Sequence, residues 1–183
     1  MNKVKLLALG VALVLSAPIM HASAQVMVGG APMYASKDII DNAVNSKDHT
    51  TLVAAVKAAD LVGTLKGPGP FTVFAPTNAA FGALPAGTVD TLLKPENKAT
   101  LTKVLTYHVV SGRLDKAELQ KQIKAGGGTA MLKSVAGETL KVTMDGDRIA
   151  VTDMKGGTAH VTIADVGQSN GVILVVDKVL LPG

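Results

Sequence analysis

The sequence has no cysteine and no tryptophan, and only three phenylalanines and two tyrosines in 183 residues. Without thiols there is no disulfide, no thiol nucleophile, no Cys-ligated zinc and no cysteine to carry a lipid at a processing site. The fold must therefore rest on its hydrophobic core alone. An aromatic content of 3% leaves no stacking platform for single-stranded nucleic acid. No Lys/Arg run occurs either, so the electrostatic footprint of a duplex-binding protein is missing and nucleic acid is not an expected partner.

What is present begins with a leader. Residues 1–24 carry Lys3 and Lys5, an apolar run from Leu6 to Leu15, then Pro18 and the small-residue site Ala22-Ser23-Ala24. That order of charged, apolar and small-residue parts is a secretory signal peptide with cleavage expected before Gln25. The run is shorter than the roughly 20 apolar residues a membrane-spanning helix needs, and no later segment is long enough, so no transmembrane segment is expected after cleavage. The leader takes two lysines and no acid, leaving 16 basic residues against 14 acidic ones. The sequence pI of about 9.3 thus overstates the basicity of the processed chain.

A hydrophobic content of 48% over this length supports one globular domain with a core of Val, Leu, Ile, Ala and Met. Residues 25–35, with two glycines and Pro32, lack periodicity and are expected to form a flexible arm, with the domain at 36–183. Ser36 is placed to cap a helix bearing Ile39, Ile40, Ala43 and Val44, and a second helix carries Leu52, Val53, Val56 and Ala59. Gly67-Pro68-Gly69-Pro70 reads as a turn, since the Gly-Lys-Ser/Thr ending of a phosphate loop is missing. A helix with Pro95 in its first turn carries Leu101, Val104 and Leu105, and Tyr107-His108-Val109-Val110 follows as an expected strand. Asp115 caps another helix that Gly126-Gly127-Gly128 ends.

Beyond this point the period changes. Residues 129–135, 138–144, 148–153, 159–164 and 172–180 all read as strands, with turns at Asp145-Gly146 and Gly156-Gly157. Helices thus dominate the first half and antiparallel strands the second, which predicts an α+β fold with helices packed on a mostly antiparallel sheet or sandwich.

One stretch organises the rest. Phe71-Thr72-Val73-Phe74-Ala75 suits a buried strand that Pro76 stops, Thr77 or Asn78 can cap the helix that follows, and Phe81 turns back into the core. This stretch, with Tyr107-His108 and the segment from Asn170-Gly171 through Asp177 to Pro182, resembles the signature motifs of the fasciclin (FAS1) domain family. Asp38-Ile39-Ile40-Asp41 and the run from Thr51 to Val56 agree in order, and the likeness covers nearly all of the chain after the leader. The resemblance implies the FAS1 fold in its single-domain, exported bacterial form, and an extracellular interaction module; no cofactor is expected. It also marks Tyr107 and His108 as important for core structure and, in some animal members, for adhesion. Asp165-Val166 stands where adhesive animal relatives have an acidic-apolar recognition pair, with Val for the usual Ile. Leu174 replaces a histidine of the family pattern.

Each of these positions has a plainer reading. Tyr107 and His108, with apolar neighbours, need hydrogen-bond partners, which Thr77 or Asn78 could supply. Asp165 can cap a turn into the last strand, and Leu174 can fill the core. The catalytic motifs fail: there is no His-x-x-x-His pair and no Gly-x-Ser-x-Gly elbow, His108 and Ser111 lack an orienting third group, and Asp145-Gly146-Asp147 lacks the remaining ligands of a calcium loop. No metal site is expected.

Three roles remain open. The first is a monomeric, periplasmic or extracellular adhesion-type module that binds an envelope protein, an extracellular protein or a surface polymer. The second is a carrier for a small apolar ligand such as a lipid or pigment, which requires a cleft of roughly 300 Å³ or more. The third is a structural envelope protein recruited through the arm at 25–35.

Overall fold

The computed structural model describes residues 25–183; the leader reading lies outside them. The chain is organised on strand β3 (Phe71–Pro76) and the last strand, β9 (Gly171–Val176), which run parallel in register from Phe71 opposite Gly171 to Pro76 opposite Val176. Parallel neighbours are typically covered on both faces, and five of the six β3 residues and all six of β9 are buried.

Because side chains alternate along a strand, this pair feeds two cores. On one face Val73, Ala75, Ile173 and Val175 meet the helical layer: α1 (Ile39–Ala43), α2 (Thr50–Ala58), α3 (Val62–Leu65), α4 (Asn78–Gly82), α5 (Thr88–Leu92) and α6 (Lys98–Tyr107). Leu52 and Val56 of α2, Phe81 of α4, and Leu101 and Leu105 of α6 supply much of that apolar packing. On the other face Phe74, Leu174 and Val176 meet Leu119 and Ile123 of α7 (Lys116–Ala125) and the inward residues of β5 (Thr129–Lys133), β6 (Thr139–Asp145) and β7 (Arg148–Thr152).

With β4 (Val109–Ser111) and β8 (Thr158–Gln168), these strands form one seven-stranded sheet ordered β4-β3-β9-β8-β7-β6-β5, antiparallel except at β3/β9. The sheet curls until its two end strands touch. Val110 bridges Ser134, and the Val135 N–H donates to the Val109 carbonyl at 2.7 Å. Helix α7 packs on β5 and β6 through Leu119 and Ile123. The architecture is the expected α+β arrangement, with helices mainly in the first half and a mostly antiparallel sheet formed largely by the second.

Several local expectations change. Asp38, not Ser36, caps α1: its carboxylate accepts the Asp41 N–H at 2.8 Å, so the helix starts at Ile39. Tyr107 ends α6 and His108 is its C-cap, so the strand begins only at Val109. The 159–164 strand extends to Thr158–Gln168, with irregular pairing between Ile163 and Val166, and the last strand stops at Val176.

The largest change concerns residues 25–35. Instead of a flexible arm, Met27–Val28 (β1) and Ala31–Pro32 (β2) form a two-stranded hairpin, with Val28 and Met33 buried in the helical core. Gly29 and Gly30 take positive φ at the turn, and the Gly29 carbonyl accepts the Lys47 N–H. The glycines that made this stretch read as a loop are the residues that let it fold back.

Removing residues 25–35 is therefore expected to lower the unfolding free energy by about 3 kcal/mol or more, because Val28 and Met33 leave a cavity in the core. Chemical denaturation of the truncated and complete chains checks this, and equal midpoints would make the segment a spacer. A second comparison probes the parallel pair. A Cβ at Gly171 would lie 2.1 Å from the Phe71 carbonyl oxygen. Gly171→Ala should cost roughly 3 kcal/mol, whereas Gly63→Ala, in open space on α3, should stabilise by about 0.5–1 kcal/mol. Urea midpoints at unchanged slope separate the two.

Candidate functional site

Tyr107 and His108 end α6 and are almost fully enclosed, at 0% and 2% exposure. Their partners are not Thr77 and Asn78. The Tyr107 hydroxyl donates to the Thr139 carbonyl at 3.1 Å and accepts the Met154 N–H at 3.2 Å. His108 Nε2 accepts the Leu180 N–H at 2.9 Å, so the ring hydrogen sits on Nδ1, which donates to the Val104 carbonyl at 2.8 Å. The pair thus ties α6 to β6, to the loop after β7 and to the C-terminal segment. Burial pushes the His108 pKa down to about 4, against the raising effects of the Val104 carbonyl and of Asp153. Burial likewise raises the Tyr107 hydroxyl.

Thr77 and Asn78 serve locally instead. Thr77 caps α4 by accepting the Ala80 N–H at 3.2 Å. The Asn78 side chain accepts the Thr51 N–H at 3.0 Å and donates to the Lys47 carbonyl at 2.8 Å, joining α4 to the start of α2.

The second pair is split at an irregularity of β8. Asp165 is exposed on β8 in the left-handed region, at φ 58°, while Val166 is 0% exposed and pairs with Ile173. Asp165 does not cap the turn into the last strand; its carboxylate accepts the Lys116 N–H at 2.6 Å, at the first residue of α7. Of Tyr107, His108, Asp165 and Val166, only Asp165 reaches the surface.

The remaining motif residues are internal fasteners. Asn170, at the β8–β9 turn, accepts the Ile39 N–H at 3.1 Å and donates to the Leu65 carbonyl at 2.7 Å and to the Gly67 carbonyl at 2.9 Å. Gly171 permits the close approach of Phe71. Asp177 accepts the His160 N–H at 2.7 Å. Phe74 and Phe81 fill the two cores, Phe71 packs against the helical one, and Pro76 closes the ladder with Val176. Leu174 points inward at 0% exposure, as its plainer reading requires.

Sequence reasoning missed one cluster. Asn42 and Gln168 are buried and bonded to each other, and Asn42 also exchanges hydrogen bonds with the backbone of Tyr34 at 2.9 and 2.8 Å. The available signal was Asn42 itself, a polar residue on the apolar side of α1 beside Ile39 and Ala43.

Chemistry has little room here. Ser46 Oγ lies 2.9 Å from His49 Nδ1, but both residues are buried and His49 Nε2 faces the Ala75 carbonyl at 3.4 Å. Burial lowers the His49 pKa. Among the described residues no group of three or more His, Asp or Glu could hold a metal ion. Between the N-terminal hairpin, α1–α3 and the β3/β9 pair lies an apolar cavity of about 60 Å³, touched by Val28, Met33, Ile40, Leu65 and Ile173.

The buried His108 makes stability depend on pH with a definite sign. Its native pKa lies below that of the unfolded chain, so from pH 6.5 down to about 4 the unfolded state binds the extra proton. Stability is expected to fall over that window by roughly 3 kcal/mol and then level off for this group. His49 pulls in the same direction. Equilibrium unfolding between pH 4 and 7 measures the effect, and His108→Gln should flatten the curve while lowering stability at pH 7.

A family model described as Fasciclin domain matches residues 47–182. Protein sll1483 of a Synechocystis species is 45% identical over 175 residues, covering 96% of this chain and 90% of that protein. The immunogenic protein MPB70 of Mycobacterium bovis is 38% identical over 145 residues, covering 76% of this chain and 66% of its own length. In fold, the chain is similar to a FAS1 domain pair from the insect cell adhesion molecule Fasciclin I, with a TM-score of 0.70 at 17% identity, over 79% of this chain and 51% of that one. The two cores around β3/β9, the internal fasteners and the match over residues 47–182 agree: the chain belongs to the fasciclin domain family.

Proposed function

We propose that this protein is an exported interaction module that holds a protein or a surface polymer in the cell envelope or outside the cell. The observation that carries this reading is the state of the interior. Among the described residues no buried side-chain polar atom lacks a hydrogen-bond partner, and the family's signature residues spend their bonding capacity on the fold. The surface is then what is left to act. The leader of residues 1–24 supports export, and no helix among the described residues is long and apolar enough to cross a membrane. The same fold serves in the insect cell adhesion molecule Fasciclin I.

The carrier reading has less support. The enclosed apolar cavity of about 60 Å³ falls well short of the roughly 300 Å³ at the lower end of ligand pockets, so a lipid or pigment there would need the hairpin and α1 to move apart, and the larger space of about 600 Å³ between residues 110–114 and 131–135 is an open groove that does not enclose a ligand.

Saturable binding of the purified protein to cells of its source organism is expected, with loss of that binding after treatment of the cells with protease or a polysaccharide-cleaving enzyme. Native mass spectrometry of the protein from its own source should give the mass of a bare chain starting at Gln25. Absence of cell binding, together with extra mass that leaves on unfolding, would instead establish the carrier.

A further inference from the structure

We propose that the outer edge of β5 is a docking site for an extended peptide segment bearing acidic side chains, which would add to the sheet as a further strand. This rests on the reading of the protein as an interaction module and gives that module a site.

The register of β5 determines which backbone groups are free. The Ser134 N–H donates to the Glu138 carbonyl at 2.8 Å, and in an antiparallel ladder the bonded positions recur every second residue, at Leu132 and Ala130. The amides of Met131 and Lys133 therefore point away from β6. On that side β4 meets the end of β5 at the Val110–Ser134 bridge, beside the Val135–Val109 bond, and no ladder continues from it along β5. The space between them is an open groove of about 600 Å³. Leu132 and Val135 of the β5 side line it, and Val110, Ser111, Leu114 and Gln122 form the opposite wall.

A row of unpaired amides is a template for a strand, and it recognises a peptide backbone whatever its sequence. Side-chain preference follows from the rim. Met131 is 64% exposed and Val135 44%, offering apolar contact to alternate residues of the incoming strand. Lys133 is the one charged residue lining the groove, and Lys141 stands across the ladder from Met131. Both are exposed, and among the described residues neither is paired with a carboxylate. The nearby acid of α7, Glu118, is engaged by Lys121 and by Gln122. An acidic side chain on the incoming strand meets the unneutralised ammonium group of Lys133, with Lys141 one strand further along the same face of the sheet.

The test is an amide-resolved NMR titration of the purified protein with a blocked pentapeptide of alternating valine and glutamate. Shifts should concentrate at Met131, Lys133 and Ser111. A peptide with lysine for glutamate should bind at least tenfold more weakly, and Lys133→Glu, a surface change that leaves the fold intact, should reverse that preference. N-methylating the peptide at alternate residues should abolish binding through the ladder without touching the protein. Equal binding of the methylated peptide, or no perturbation at these amides at millimolar peptide, overturns the proposal. Shifts that follow protein concentration without peptide would assign the edge to a second copy and overturn it too. If binding to source cells persists while the edge fails these tests, only the site is lost and the interaction-module reading stands.

Discussion

Everything in this fold depends on two strands separated by about a hundred residues of sequence lying parallel and being covered on both faces. β3 comes early and β9 last, and their pairing places Phe74 and Leu174 in one core while Val73 and Ile173 enter the other. A parallel contact between distant segments gains nothing until the intervening chain is ordered, so its closure entropy must be offset by the two cores together. Gly171 shows how tight the contact is, since any Cβ there would overlap the Phe71 backbone.

The polar signature residues make sense against that constraint. Where the helical layer and the sheet meet, backbone groups at helix ends and turns would be buried without partners, and each would cost on the order of 1–3 kcal/mol. Asn170 satisfies three of them from the β8–β9 turn, and His108 satisfies one each from α6 and the C-terminal segment. These residues are specific because each position needs a fixed set of donors and acceptors in a fixed geometry. His108 can serve only as a neutral ring, which is why burial holds its pKa at about 4.

An interior occupied in this way separates stability from activity. The residues that carry the family motifs hold the domain together. At the far edge of the sheet, β5 turns backbone amides away from β6 and towards a groove. The groove arises because the curled sheet stops short of closure.

Much of this was legible along the chain. The period-two runs of the second half became strands, Asp115 and Thr77 became helix caps, and Leu174 became core, because those outcomes follow from local chemistry acting over a few residues. The fold class followed from their order, and the family from motifs that agree in sequence. Other features were decided only in three dimensions. Residues 25–35 show no regular period and are broken by two glycines and Pro32, yet Val28 and Met33 find a surface made by distant helices. The partners of Tyr107 and His108 came from Thr139, Met154 and Leu180, whose backbone groups carry no mark in the sequence. Asp165 and Val166, adjacent in the chain, were separated into exposed and buried positions at an irregularity of β8, where Asp165 takes the left-handed conformation. The sequence by itself determined where strands and helices form and which side chains must be buried. The tertiary structure decided which backbone groups those side chains satisfy and which edge stays open, because hydrogen-bond partners are chosen by proximity in space, across separations that no local pattern encodes.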